Sequence, residues 1–343
     1  MTASELFAIE RPRLLGLAYR LLGSMADAED VVQEAWFRFD RVDVASIERP
    51  AAWLTTVTSR IGLDKLRARQ RDRLDYVGPW LPEPIMESSS SSAWGNDAPS
   101  NDPADAAELA DSLTTAFIVL LERLSPQERL AVLLADVFGE PFAEIAAMLD
   151  TSDGAARQIA SRARRKLRDA DPTRSDRRAT PIAEQQEVAA RLVAALVAGD
   201  IATTARLLAP DVVLVSDGGA LVHAARRPVL GAERVSRFMI NLAKRAGDAS
   251  VDETAFCVVN NQPALVARQN GEPRFVVIAE VVDGLVHLIH VINNPAKLAS
   301  LDHPVDLRCG RGLQWGADAV GGMGRPRCSR ICSMAASCAA RCA

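Results

Sequence analysis

At 343 residues, with 48% hydrophobic and 24% charged residues, the chain has the make-up of a soluble globular protein long enough for two or three cores. No apolar run approaches the ~20 residues of a spanning helix, and acids stand where a signal peptide would carry basic residues. These features exclude a membrane span and a secretory leader, and they predict a cytoplasmic protein. The formal net charge of −4 says little about partners, because the basic residues are concentrated locally.

From Leu14 to Phe39 the apolar residues follow helical spacing, interrupted at Gly23-Ser24, where Ser24 or Asp27 is placed to cap a second helix. A third helix is predicted from Pro50 through Trp53, Leu54, Val57, Ile61 and Leu66, which completes a helical domain over 5–75. Residues 76–106, rich in Pro, Ser, Gly and acids, read as a flexible linker. Within it Trp80 to Pro84 (WLPEP) is stiffened by two prolines, and apolar Trp80 and Leu81 suit docking on the C-terminal domain.

Helical periodicity returns over 107–170, with Ser125-Pro126 and Glu128 as a helix start. Phe142, Ile145, Ala146 and Leu149 form the apolar stripe of one short helix, and Asp150-Thr151-Ser152 makes a tight turn. The next helix carries its own stripe at Ala156, Ile159, Ala163 and Leu167, so the pair reads as a helix-turn-helix. From Arg157 to Arg168 it bears six positive charges and no acid. Off the stripe lie Arg157, Gln158, Ser161, Arg162, Arg164, Arg165 and Arg168, side chains suited to phosphates and base edges; the competing reading is a solvated basic face.

A second linker, 171–182, precedes a domain over 183–300. Here one amphipathic helix and a short one lead into β-rich runs, with Asn270-Gly271 and Asp283-Gly284 as hairpin turns. This block reads as α+β with a curved antiparallel sheet. His287 and His290, three apart on a strand, point to opposite faces and form no dyad, and His223 near Asp217 reads equally as a satisfied polar residue. Residues 301–343 form a disordered tail in this reading. Only Cys257 precedes residue 309, which excludes a disulfide framework, and the C-x3-C-x5-C-x3-C spacing from Cys328 is not that of a zinc site. No metal, no cofactor and no enzymatic activity are expected.

Two further features bear on function. Arg60, Lys65, Arg67, Arg69, Arg71 and Arg73 follow Trp53, Thr55, Thr56, Thr58 and Ser59, a basic, aromatic and hydroxyl-rich stretch suited to unstacked bases. Trp53 serves equally as a core residue. Asp27, Glu29, Asp30 and Glu34 make an acidic face that suits a protein partner rather than nucleic acid.

The segments LLGLAYRLLGSMADAEDVVQEAWFRF and RPAAWLTTVTSRIGLDKLRARQR resemble sigma region 2. The segment from Leu121 to Arg168 resembles sigma region 4. With no region 3 between them, the resemblance is to extracytoplasmic-function sigma factors, in the subgroup with WLPEP and a fused C-terminal SnoaL-like domain. It implies a multidomain fold: two all-α domains plus an α+β cone-shaped sheet. It implies core RNA polymerase (β′ clamp helices, β flap) and promoter DNA as partners. It places Asp27, Asp30, Gln33, Glu34 and Trp36 at the polymerase, Trp53, Thr56, Arg60, Lys65 and Arg67 at the −10 element, and Arg157, Gln158, Ser161, Arg162 and Arg165 at the −35 element. Trp80, Leu81, Pro82, Asp217, Gly218 and Gly219 would be regulatory. The chain departs from the subgroup at Asp217-Gly218-Gly219-Ala220-Leu221, where a glycine-rich loop normally ends in lysine, and at Asn294-Pro295-Ala296-Lys297-Leu298, where alanine replaces an acid. The alternative function is a helix-turn-helix repressor or activator with a fused domain that senses a small ligand.

Overall fold

The computed structural model describes residues 2–72, 76–86, 113–170, 180–248, 251 and 253–301, so the cysteine-bearing end of the chain lies outside the described residues. The described residues up to 76 and from 113 to 170 form one unit. Those from 77 to 86 and from 180 onward form the other.

Three helices open the first unit. Thr2 and Glu5 form a capping box on α1 (Ala3–Leu22), and Gly23 ends it at a left-handed φ of 67°. Of the two caps the sequence offers α2 (Met25–Phe39), Ser24 is used, its Oγ accepting from the Asp27 N–H. The third, α3 (Pro50–Asp72), starts at its proline. Leu14, Leu17, Leu21, Val31, Phe39, Leu54 and Leu63 fill the space between them. Gly62 permits the close approach of α3 to α1, since a Cβ there would stand 2.7 Å from Leu21 Cδ2.

Among the described residues four more α-helices follow: α4 (Thr115–Leu121), α5 (Pro126–Val132), α6 (Phe142–Met148) and α7 (Asp153–Ala170). Ser125 and Glu128 form the expected capping box around Pro126, and α5 runs on into a π-helical turn, Leu133–Val137. The turn between α6 and α7 passes through Asp150 at φ 53°, and Ser152 Oγ accepts from the Ala155 N–H at 3.3 Å.

The sequence reading draws these two helical groups as separate domains, yet their described parts share one unit. A buried guanidinium is one of the links between them. Arg129 of α5, 1% exposed, donates to Glu122 at 2.6 Å and to the Arg20 carbonyl of α1 at 3.2 Å. Burial, with Arg69 nearby, pulls the Arg129 pKa down to about 9.

In the second unit α8 (Ile182–Ala198) and α9 (Ile201–Leu207) precede β1 (Leu208–Asp217), β2 (Val229–Leu230) and α10 (Ala232–Asp248). Then come β3 (Glu253–Val259), β4 (Gln262–Gln269), β5 (Glu272–Val282), β6 (Leu285–Ile292) and a short α11 (Pro295–Leu298). The six-stranded sheet has the order β2-β1-β6-β5-β4-β3, antiparallel except where β1 lies parallel to β6. Asn270-Gly271 and Asp283-Gly284 make the two hairpin turns read from sequence, all four residues at positive φ. A third such turn, Asn260-Asn261, joins β3 to β4. Val188, Leu192, Leu196, Val235, Met239, Leu214, Val281 and Ile289 fill the space between the helices and the sheet.

His287 lies at the surface, 3.9 Å from Asp211, whereas His290 is buried. Burial holds the His290 pKa at about 4, below the ordinary 6.5. Between those values the unfolded chain binds a proton that the folded chain refuses. Stability therefore falls as pH drops from 6.5 towards 4 and loses nothing further to this group below that. Urea unfolding of the sheet unit at neutral pH and at about pH 4.5 should show His290 contributing a loss of about 2–3 kcal/mol, which His290→Leu abolishes.

Candidate nucleic-acid interface and linker anchor

On α7 the buried residues are Ala156, Ile159, Ala160 and Ala163. On α6 Met148 is buried with Ile145 and Ala146, whereas Phe142, read from sequence as buried, is half-exposed beneath the Arg157 guanidinium at 4.9 Å. Arg157, Gln158, Ser161, Arg162 and Arg165 are all exposed. The six cations divide by role. Arg164 chelates Asp136 and Lys166 reaches Glu128 at 2.8 Å, so both strap α7 to α5 and its π-turn. Arg157 makes an i,i+4 pair with Asp153 at 3.0 Å. Arg162, Arg165 and Arg168 have no hydrogen bond or ion pair among the described residues.

The α3 residues assigned to the −10 element do not converge on one open surface. Trp53 is half-buried against Phe39 at 5.6 Å, in an aromatic cluster that also includes Trp36 and Phe7. Thr56 donates to the Ala52 carbonyl, and Arg60 donates to the Ala147 carbonyl of α6 at 2.8 Å. Arg67 is exposed and pairs with Asp64 at 3.2 Å. Lys65 bridges Asp27 at 2.9 Å and Asp30 at 2.8 Å, so this cation is shared with the acidic face of α2. Burial works against the Lys65 charge, but hydrogen bonds and charge from Asp30 and Asp27 prevail and raise its pKa.

On α2 Asp30, Gln33 and Glu34 are exposed, while Asp27 and Trp36 are half-buried. Sequence reading missed Phe37, which is 48% exposed on the same flank. Its signal was the spacing: Asp30, Gln33, Glu34 and Phe37 stand at i, i+3, i+4 and i+7.

In the second unit, Val77 to Met86 run as an extended strap against the sheet domain. Leu81 is 0% exposed, and Pro82, Pro84 and Ile85 are buried. Asp217, at the end of β1, accepts the Leu81 N–H at 2.8 Å and the Gly219 N–H at 3.0 Å. Lys297 of α11 donates to the same carboxylate at 2.6 Å and to the Leu81 carbonyl, and its ammonium sits 4.3 Å from the centre of the Trp80 ring. The ion pair is buried, and strap atoms complete its hydrogen bonds, the condition under which a buried pair is tolerated. Further along, Asn260 exchanges two bonds with Ile85, at 2.8 and 2.9 Å, and Ser300 donates to the Pro84 carbonyl at 3.0 Å.

Both loop glycines are required by space. A Cβ on Gly218 would stand 2.4 Å from the Val222 carbonyl oxygen. One on Gly219 (φ +58) would stand 2.6 Å from Asn294 Nδ2. Leu221, where the resemblance leads one to expect lysine, is 82% exposed. Lys297 and Asn260, which hold the strap, are absent from the residues assigned from sequence. Lys297 sits in the NPAKL segment singled out in the sequence, and Asn260 in an Asn-Asn turn.

Two family models match the chain: "Sigma-70 region 2" over residues 6–72 and "Sigma-70, region 4" over residues 114–167. The ECF RNA polymerase sigma factor SigJ of Mycobacterium tuberculosis (strain ATCC 25618 / H37Rv) is 42% identical over 305 residues, 87% of this chain and 93% of its own. The probable ECF RNA polymerase sigma factor SigI of the same strain is 31% identical, covering 87% of this chain and 95% of its own. The crystal structure of M. tuberculosis SigJ matches with a TM-score of 0.66 at 38% identity, over 87% of this chain and 99% of that one.

Removing one member of the buried pair strands the other. Asp217→Ala should weaken the strap by roughly 3–5 kcal/mol. It should also expose the bond after Trp80 to chymotrypsin while the sheet stays folded by circular dichroism. The control is Leu221→Lys, whose cleavage should match the wild type.

Proposed function

The chain belongs to the extracytoplasmic-function sigma factors of RNA polymerase, which bind the core enzyme and direct promoter-dependent initiation, and we propose which surface performs each part. The −35 element is read by α7, through Arg157, Gln158, Ser161, Arg162 and Arg165. The observation that carries this reading is the row of cations on α7 with no partner among the described residues, presented just behind a tight turn. Arg164 and Lys166, spent on Asp136 and Glu128, hold the helix in place and are not readers.

The −10 element is assigned to α3, through Trp53, Thr56, Arg60, Lys65 and Arg67. Polymerase docking falls to α2. Asp27, Asp30, Gln33 and Glu34 supply charge and hydrogen bonds, Trp36 stiffens the helix from below, and Phe37 offers an apolar anchor within a polar ring. The sheet unit sets output through the strap: Trp80, Leu81 and Pro82 are the held segment, and Asp217, Gly218 and Gly219 are the lock. Chemistry is left to the polymerase, and the site of action is the cytoplasm. A repressor that binds a duplex by itself leaves the acidic flank of α2 and the second basic helix without a role.

Run-off transcription with purified core enzyme tests the reading, on a template selected by the wild-type holoenzyme from a random-sequence pool. Arg162→Ala should lower −35-dependent initiation by roughly 1–3 kcal/mol, as one lost bidentate base contact does. Arg164→Ala should instead act through the stability of the helical unit. Unchanged promoter preference in Arg162→Ala would remove α7 from this role.

A further inference from the structure

We propose that the sheet unit binds a small aliphatic carboxylate in the cleft between the start of the strap and the loop after β1, and that binding holds the strap down. That binding alters transcription rests on the assignment of output control to the strap; the site itself does not.

The cleft has a volume of about 270 Å³. One wall is Val77 and Gly78, the first residues of the strap, and the other comes from residues 218–226. This lies just below the ~300 Å³ at which drug-sized ligands begin to fit, so the space suits a smaller metabolite.

The polar part of the lining asks for an anion. It contains no carboxylate. Asp217, the neighbouring acid, is 0% exposed and already accepts from Leu81, Gly219 and Lys297. The two basic side chains of the lining, His223 and Arg226, are exposed and three residues apart, and neither has a hydrogen bond or ion pair among the described residues. The guanidinium is always charged, and the imidazole offers a ring N–H in either protonation state. The main-chain N–H groups of His223, Ala224 and Ala225 also have no acceptor among the described residues. A carboxylate supplies acceptors that such donors bind in charge-assisted bonds.

Solvated cations are ordinary on a surface, and the apolar part of the lining is what sets this cleft apart. Leu221, 82% exposed, is the most exposed large apolar side chain among the described residues, and Val77 is 38% exposed. They line the cleft from its two walls. Bared hydrocarbon beside free donors is the anatomy of a pocket for an amphipathic acid. Inorganic phosphate would use the donors and leave Val77 and Leu221 bare.

The strap enters because it forms a wall. Gly78 lies against the basic loop so closely that a Cβ there would stand 3.6 Å from the Arg226 Cα. The site is therefore complete only while the strap is seated, and by linkage an occupant favours the seated state.

Hexanoate is the probe, titrated calorimetrically into the full-length chain at constant ionic strength. Binding should saturate at one site and tighten roughly two- to fourfold per methylene from butyrate to hexanoate. Arg226→Gln should weaken it about tenfold or more. Arg227→Gln, at an exposed cation outside the lining, should bind as the wild type does. Leu221→Ser should flatten the dependence on chain length. At ten times its Kd, hexanoate should slow chymotryptic cleavage after Trp80 about tenfold, with a free peptide substrate recording the protease's own rate. The proposal is overturned by absent saturable binding, by equal affinities in Arg226→Gln and Arg227→Gln, by inorganic phosphate binding more tightly than hexanoate, or by unchanged cleavage. Failure of the strap's role in output shows separately, as hexanoate that binds and protects Trp80 yet leaves run-off transcription unaltered.

Discussion

A positive charge taken out of water organises the helical half of this protein. Arg129 joins α5 to the backbone of α1, and its depressed pKa records what the burial costs. Parting the two helical groups would return that charge to water and recover its hydration. Arg20, also buried, donates to Gly16 and lies 5.7 Å from the Phe138 ring centre, so the junction is polar on both sides. Such a junction can specify one arrangement without making it permanent.

The sheet half solves a related problem with opposite signs. There a carboxylate and an ammonium are both buried, and each finds a further partner on a segment distant in sequence. The strap is therefore part of the ion pair's solvation rather than a passenger on it. The fifth residue of the Asp217 loop points to water, and the ammonium that meets Asp217 comes from Lys297.

Much of the architecture was legible from local signals. Capping residues, an N1 proline, helical periodicity and two Asn-Gly or Asp-Gly turns each act within a few residues, and each appears where its chemistry predicts. The exposed face of α7 was legible for the same reason. What could not be read were long-range choices. Nothing near Lys65 announces that it will lie between Asp27 and Asp30, and nothing near Thr55 announces that Arg13 and Glu140 will meet there. The 76–106 stretch reads as a flexible linker in which Trp80 and Leu81 suit docking on the C-terminal domain, but proline and serine content does not name the residues that receive them. Its described part is held by Asp217, Asn260 and Lys297, over 130 residues away in the chain.

The strap also finishes the sheet. β3 is the last strand in the order, and Met86 forms an antiparallel bridge with its final residue, Val259, beside the two Ile85–Asn260 bonds. A terminal strand with unpaired backbone and an outward-facing Phe256 invites pairing with any other extended chain. Detaching residues 77–86 would therefore bare the Val259 end of this strand as well. A molecule that lost this cover would offer its strand end to a second copy in the same state.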